Sequence, residues 1–213
     1  MATPSRALRT LVLIAVLGIS HRARAEAEEH RLGVAAAGTL VASEEAGAEA
    51  SSFQGTFELQ YSYGLGNWLS LGGTAFFGGG PRLTFDDALV ESEGQLQAGQ
   101  LGANMFAGGI GVLARAELNV DTSTLFALTH PYVAAGGGIV ARSLSSQQLV
   151  DADGTPLFDV ADSFELRPYA QLELGVERRL SAGFCAALAV GGRFAGSLFS
   201  SASARLELAW YWY

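Results

Sequence analysis

The chain has 213 residues, 49% hydrophobic and only 16% charged, enough apolar material for one domain with a core. Its 13 basic residues are all arginine and face 21 acids, a balance that argues against nucleic acid as a partner, because that binding rests on cationic contacts. Cys185 is the only cysteine, so no internal disulfide forms.

The first 25 residues read as a secretory signal peptide. Arg6 and Arg9 form a positive start, Leu11 to Ile19 an apolar run, and Ala23-Arg24-Ala25 a small-residue cleavage site. The run is too short for a membrane helix. The mature domain is then 26–213. Losing the four leader arginines leaves nine basic groups against 21 acids, a net charge of −12. The best helical span in the rest, Thr122 to Ala141, holds Pro131 and Gly136-Gly137-Gly138 and is a poor helix.

Beyond the leader, hydropathy alternates with period two. Arg31 to Ala42 places Leu32, Val34, Ala36, Gly38 and Leu40 on one face. Ser43 to Ser52 is acidic and reads as a loop. Gly55 to Tyr63 sets Phe57, Leu59, Tyr61 and Tyr63 against Thr56, Glu58, Gln60 and Ser62. Gly64-Leu65-Gly66-Asn67 is a tight turn, and Trp68 to Phe77 returns. Gly78 to about Gln100 reads as a long polar connection. A fourth strand runs from about Ala103 to Leu118. After it comes a connection, Asn119 to Thr129, in which Leu125 and Phe126 find no place. His130 to Arg142 is the fifth strand, with Pro131 at its tolerant start. Ser143 to Asp162 reads as an acidic loop. Ser163 to Glu177 and Gly183 to Phe194 are the sixth and seventh strands, joined by a short turn. The small-residue stretch Ala195 to Ser203 leads to the eighth, Ala204 to Tyr213, where Leu206, Leu208, Trp210 and Trp212 oppose Arg205, Glu207, Ala209 and Tyr211.

Eight sequential strands predict an all-β, antiparallel up-and-down barrel, which closes to remove its edges. Apart from Asn119 to Thr129, which breaks the rule, long connections on one side and short turns on the other suit an outer-membrane barrel, with both termini on the short-turn side. Alternation alone also fits a soluble barrel with an apolar lumen, such as a lipocalin. Three features favour lipid outside. The off-face is sparsely charged and has no lysine. The strands are about nine to eleven residues, enough for a tilted crossing. Aromatics sit at strand ends: Tyr61, Tyr63, Trp68, Trp210 and Trp212 at the short-turn rim, and Phe76, Phe77, Phe164, Tyr169, Phe194 and Phe199 near the other.

On this ground the chain resembles the small eight-stranded outer-membrane barrels, the OmpA/OmpX-like and opacity-protein-like families. The residues that carry the resemblance are His130-Pro131-Tyr132-Val133-Ala134-Ala135-Gly136-Gly137-Gly138 and the terminal aromatic strand. It implies a transmembrane β-barrel in the outer membrane of a Gram-negative cell, inserted by the barrel-assembly machinery, which reads a terminal aromatic on the apolar face. Here that face ends at Trp212, and Tyr213 falls on the other.

An eight-stranded barrel leaves room inside only for side chains. Inward charges must therefore pair. The expected network draws on Glu58, Arg115, Glu117, Glu173, Glu177, Arg193, Arg205 and Glu207. His130 lacks a neighbouring serine or acid in sequence and is read as structural, so no catalytic residue is assigned. Asp151-Ala152-Asp153-Gly154 fails a calcium-loop pattern when aligned on its glycine, and Gly109 to Ala114 lacks the helix of a dinucleotide site. No cofactor or metal is expected. The reading is a monomeric structural or surface-interaction barrel in contact with outer-membrane lipid, with acidic extracellular loops. Two alternatives are a narrow channel for small solutes or apolar molecules and a soluble periplasmic lipocalin-like binder.

Overall fold

The structure is a computed structural model that describes residues 28–66, 68–92, 94–118, 129–181, 183–197 and 199–213. The signal-peptide reading of 1–25 and the placing of Leu125 and Phe126 lie outside the described residues. The described chain is antiparallel β throughout: β1 (His30–Glu45), β2 (Ala48–Gly64), β3 (Leu69–Gly79), β4 (Leu83–Ser92), β5 (Gln95–Glu117), β6 (Thr129–Val150), β7 (Pro156–Val160), β8 (Ser163–Ser181), β9 (Phe184–Phe194) and β10 (Ser200–Trp212). Eight of these close a ring, β1-β2-β3-β5-β6-β8-β9-β10, with β10 paired back onto β1 from Ala42↔Ser200 to His30↔Trp212.

Parity decides which side chains meet lipid and which meet the lumen. Along β10, Leu206 and Leu208 are 55% and 41% exposed, whereas Arg205 and Glu207 are 5% and 1% exposed. The same split holds on β8, where Leu172, Leu174 and Val176 face out and Gln171, Glu173 and Glu177 are buried. The outward row of β8 stays apolar from Phe164 to Val176. Twelve steps along a strand span about 40 Å, or about 28 Å at a 45° tilt, which matches a bilayer core. A soluble barrel with an apolar lumen would carry the opposite distribution.

The two ends differ. At the terminal end, Gly64 N donates to Glu29 O and Tyr211 N donates to Gly183 O, so the start of β1 and the end of β10 lie beside the short turns. At the far end the structure departs from the loop reading. Ser43 to Ser52 is no loop. β1 and β2 run on to a two-residue turn, Ala46-Gly47, whose φ values of 50° and 76° are those of a twisted hairpin turn. Ala48 and Ala50 point inward there while Glu49 and Ser51 do not. Gly78–Gln100 and Ser143–Asp162 are also largely strand. β4 pairs with β5 over 83–103, β5 pairs with β6 up to Gln100↔Val150, and β7 adds to the end of β6. Together they build a four-stranded extension that rises beyond the ring. The ring strands run from 11 to 23 residues, and all but β3 and β9 are longer than a crossing needs.

The extension folds its apolar face over the far mouth. Leu83, Phe85, Ala88, Leu101, Ala103, Leu144 and Leu149 are fully buried and pack with Val41, Phe76, Val140, Tyr169 and Phe199. This corrects the far aromatic belt. Phe77, Phe164 and Phe194 face outward, but Phe76, Tyr169 and Phe199 are inside. Phe76 stands opposite Gly109, where a missing side chain makes room for its ring, and it meets Tyr169 edge-on at 5.6 Å.

Candidate functional site: the lumen and the girdle

The terminal half of the lumen is filled by charge. Four guanidinium groups, Arg31, Arg115, Arg193 and Arg205, meet four carboxylates, Glu58, Glu173, Glu177 and Glu207, and all eight are buried. Each sits at the inward parity of its strand, so pairing in the sheet brings them together. Arg205 is the hub. It reaches Glu173 at 2.5 Å, Glu58 at 2.8 Å and Glu207 at 3.1 Å. Arg193 holds the other oxygen of Glu58 at 2.7 Å and donates to Gln171 at 3.2 Å. Arg31 joins Glu207 at 2.6 Å to Glu177 at 3.1 Å, and Arg115 adds a second cation to Glu177 at 2.8 Å. The arrangement balances four positive against four negative groups, which is what burial inside a closed ring demands.

Glu117 is the outlier among the eight sequence-assigned residues. It is nearer the rim, with its side chain 19% exposed, and approaches Arg115 only at 3.7 Å. Three members escaped the sequence reading. Arg31 belongs to the network as fully as the assigned arginines. Tyr132 donates to Glu173 at 2.8 Å while Arg115 lies 3.7 Å above its ring. Tyr211 donates its hydroxyl to Glu177. Parity was the available signal, since Arg31 shares the face of Ala35 and Ala37 and Tyr211 that of Glu207. Tyr132 also closes over Gly175 on β8, where an added Cβ would overlap its ring.

Two further arginines clamp the ends. At the terminal rim Arg179 pairs with Glu29 at 2.9 Å, and the Tyr213 hydroxyl donates to Glu29 at 3.4 Å. No bulge interrupts β10 against β1, so Tyr213 keeps the inward parity. At the far end the buried Arg142 donates to Ser43 Oγ at 2.7 Å and to the Glu44 carbonyl at 2.8 Å, and also pairs with Glu45. It fastens the β1–β2 turn to β6.

The terminal-end girdle is built on the outside. Tyr61, Trp68, Trp210 and Trp212 are exposed, and Tyr63 is half-buried. His30 stacks on Trp212 with ring centres 5.6 Å apart and shares a hydrogen bond of 2.7 Å with Tyr61. These rings straddle the seam where the first and last strands close. His130 pairs in register with Glu177 across β6 and β8. Asp151 caps its own turn, accepting from the backbone N–H groups of Asp153 at 2.9 Å and Thr155 at 2.8 Å. Among the described residues no cluster of three or more histidine, cysteine or acidic groups could hold a metal ion. Among the described residues no helix is long and apolar enough to cross a membrane, which says nothing of strands.

No known family pattern and no curated protein matches the chain. Solved structures do. Neisserial surface protein A is similar, with a TM-score of 0.52 at 13% identity over 85% of this chain and 96% of that one. Ail, the attachment invasion locus protein of Yersinia pestis, gives 0.48 at 10% identity over 87% and 99%. The N-terminal β-barrel domain of Pseudomonas aeruginosa OprF gives 0.43 at 13% identity over 85% and 97%. At these identities the likeness to the Neisserial protein speaks for the fold.

Proposed function

We propose that this chain, whose fold is that of the small eight-stranded outer-membrane β-barrels, is an integral outer-membrane protein with a non-enzymatic structural or surface-interaction role. The observation that carries this reading is the pairing of an apolar outward band, girdled by Tyr61, Trp68, Trp210 and Trp212, with a lumen filled by salt-bridged charge. The short turns and both termini then face the periplasm, and the four-stranded extension stands outside the cell. Its acids, among them Asp86, Asp87, Glu91, Asp151, Asp153 and Asp159, together with Glu49 on the β1–β2 hairpin, form the acidic surface seen by partners.

The partners follow from this reading. Outer-membrane lipid covers the band. The chain is exported through its signal peptide and inserted by the barrel-assembly machinery. The closed ring has no free edge within the band, so a monomer satisfies its own backbone. The lumen favours a scaffold over a channel. The charged half and the apolar cluster beneath the extension succeed one another along the axis. No cofactor is assigned, and no catalytic residue.

Fractionation with heat-modifiable gel mobility tests this reading. The protein is expected in the outer-membrane fraction, extracted only by detergent, with faster mobility before boiling. Recovery from the periplasm without detergent would end it.

A further inference from the structure

The extension turns a second face to the outside, and its residues are ordered across the strands. Thr84 on β4 stands opposite Gly102 on β5, Gly102 opposite Gln148 on β6, and Gln148 opposite Asp159 on β7. This makes one transverse row over four strands, about 14 Å long at the usual strand spacing. Beside it lies Gln100, whose amide donates to Asp86 at 2.6 Å. The row forms the floor of a cleft of about 630 Å³. Gly102 puts no side chain at the centre, and the Arg82 guanidinium takes that place, donating to the Gly102 carbonyl at 2.9 Å.

Three departures from regular pairing surround the cleft. Register shifts occur at Phe85/Ala88, Gly102/Asn104 and Leu149/Val150, and Ser146 holds a φ of 53° with its N–H on Asp162 at 3.0 Å. Bulges and a non-glycine left-handed residue gather where a strand is bent to shape a surface. Gln148 is likewise held by Asp159 at 3.2 Å, so the polar groups are ordered in advance.

From this we infer that the row binds a polyhydroxylated, uncharged ligand: an oligosaccharide of neutral or N-acetylated sugars. Glutamine amides donate to and accept from vicinal hydroxyls, carboxylates accept from them, and a row crossing four strands suits several sugar rings rather than one. Asp86, Asp159 and Asp162 outnumber Arg82, which opposes sulfated or phosphorylated polymers. The cleft offers only Val150 and Val160 as apolar side chains, too little to anchor a protein or lipid partner.

The inference rests on the extension facing outward, but the binding measurement does not depend on sidedness. The full mature chain in detergent micelles is titrated calorimetrically with chitotetraose, with maltotetraose, with the O-polysaccharide of the cell that makes the protein, and with heparin. At least one of the first three is expected to bind saturably with a dissociation constant of about 1 mM or tighter. The O-polysaccharide alone assigns the row to the cell's own envelope; either tetrasaccharide assigns it to glycans met outside. Gln148→Ala and Asp159→Ala, both at surface positions, are expected to weaken binding at least tenfold with unchanged heat-modifiable mobility. Absence of binding to all three probes, preference for heparin, or unchanged affinity in both variants overturns the inference and leaves the barrel reading standing.

Discussion

Replacing Arg205 by methionine isolates one carboxylate. Three acids touch this guanidinium, but two keep another cation: Glu58 retains Arg193 at 2.7 Å, and Glu207 retains Arg31 at 2.6 Å. Glu173 has no other arginine partner among its ion pairs; Tyr132 at 2.8 Å and Gln171 at 3.4 Å remain as neutral donors. Arg205→Met should therefore cost about 3–5 kcal/mol, the range for stranding a buried charge. Removing that charge as well, in Arg205→Met/Glu173→Gln, should recover most of the loss, because methionine fills similar volume and the glutamine amide is neutral. Urea unfolding in lipid vesicles, monitored by heat-modifiable mobility, gives the four corners of a double-mutant cycle. A cost below about 1 kcal/mol for the single variant, or no recovery in the double, would refute the account of the lumen as a coupled, buried ion-pair network.

The same geometry sets other outcomes. Leu206→Arg, in the middle of the outward band, should destabilise by about 2–4 kcal/mol in vesicles, whereas Leu96→Arg, 72% exposed on the extension, should change stability by less than about 0.5 kcal/mol. Gly175→Ala should lose about 1–3 kcal/mol in the same assay, because its Cβ would collide with the Tyr132 ring. Phe85→Ala, at a fully buried position under the extension, should cost about 3–5 kcal/mol and speed proteolysis of the β4–β5 hairpin. Planar-bilayer recordings should stay silent for this variant, since the charged half of the lumen is untouched.

The sequence carried the ring well because its signal is parity. Leu206 and Glu207 are neighbours in the chain and opposites in exposure, and one face of each ring strand repeats that rule. The extension was harder to see. Glu44 to Ser51 looks like a loop by composition, and only the small inward Ala48 and Ala50 reveal that the hairpin continues. β4 and β7 are short strands whose burial depends on lying over a mouth formed by distant residues, information that no local window holds. The Phe76-Phe77 pair shows the same limit. Two aromatics at a rim suggest a belt, yet adjacent strand residues point opposite ways, so one ring faces out and the other enters the core. In the lumen, Arg205 and Glu207 were legible as inward charges. Arg31 and the two tyrosines were not, because β1 was read only for its apolar face and tyrosine is assigned to rims by default.

The outward band in lipid is the central claim, and bromine quenching of tryptophan fluorescence tests it most directly. With Trp68, Trp210 and Trp212 changed to phenylalanine, Leu206→Trp places one indole at the middle of the band; a second variant keeps only Trp212 at the girdle. In vesicles, bromines deep in the acyl chains should quench the Leu206→Trp indole more strongly than Trp212. Bromines near the headgroups should reverse that order. Equal, weak quenching of both by either lipid would place the face in water and contradict the account.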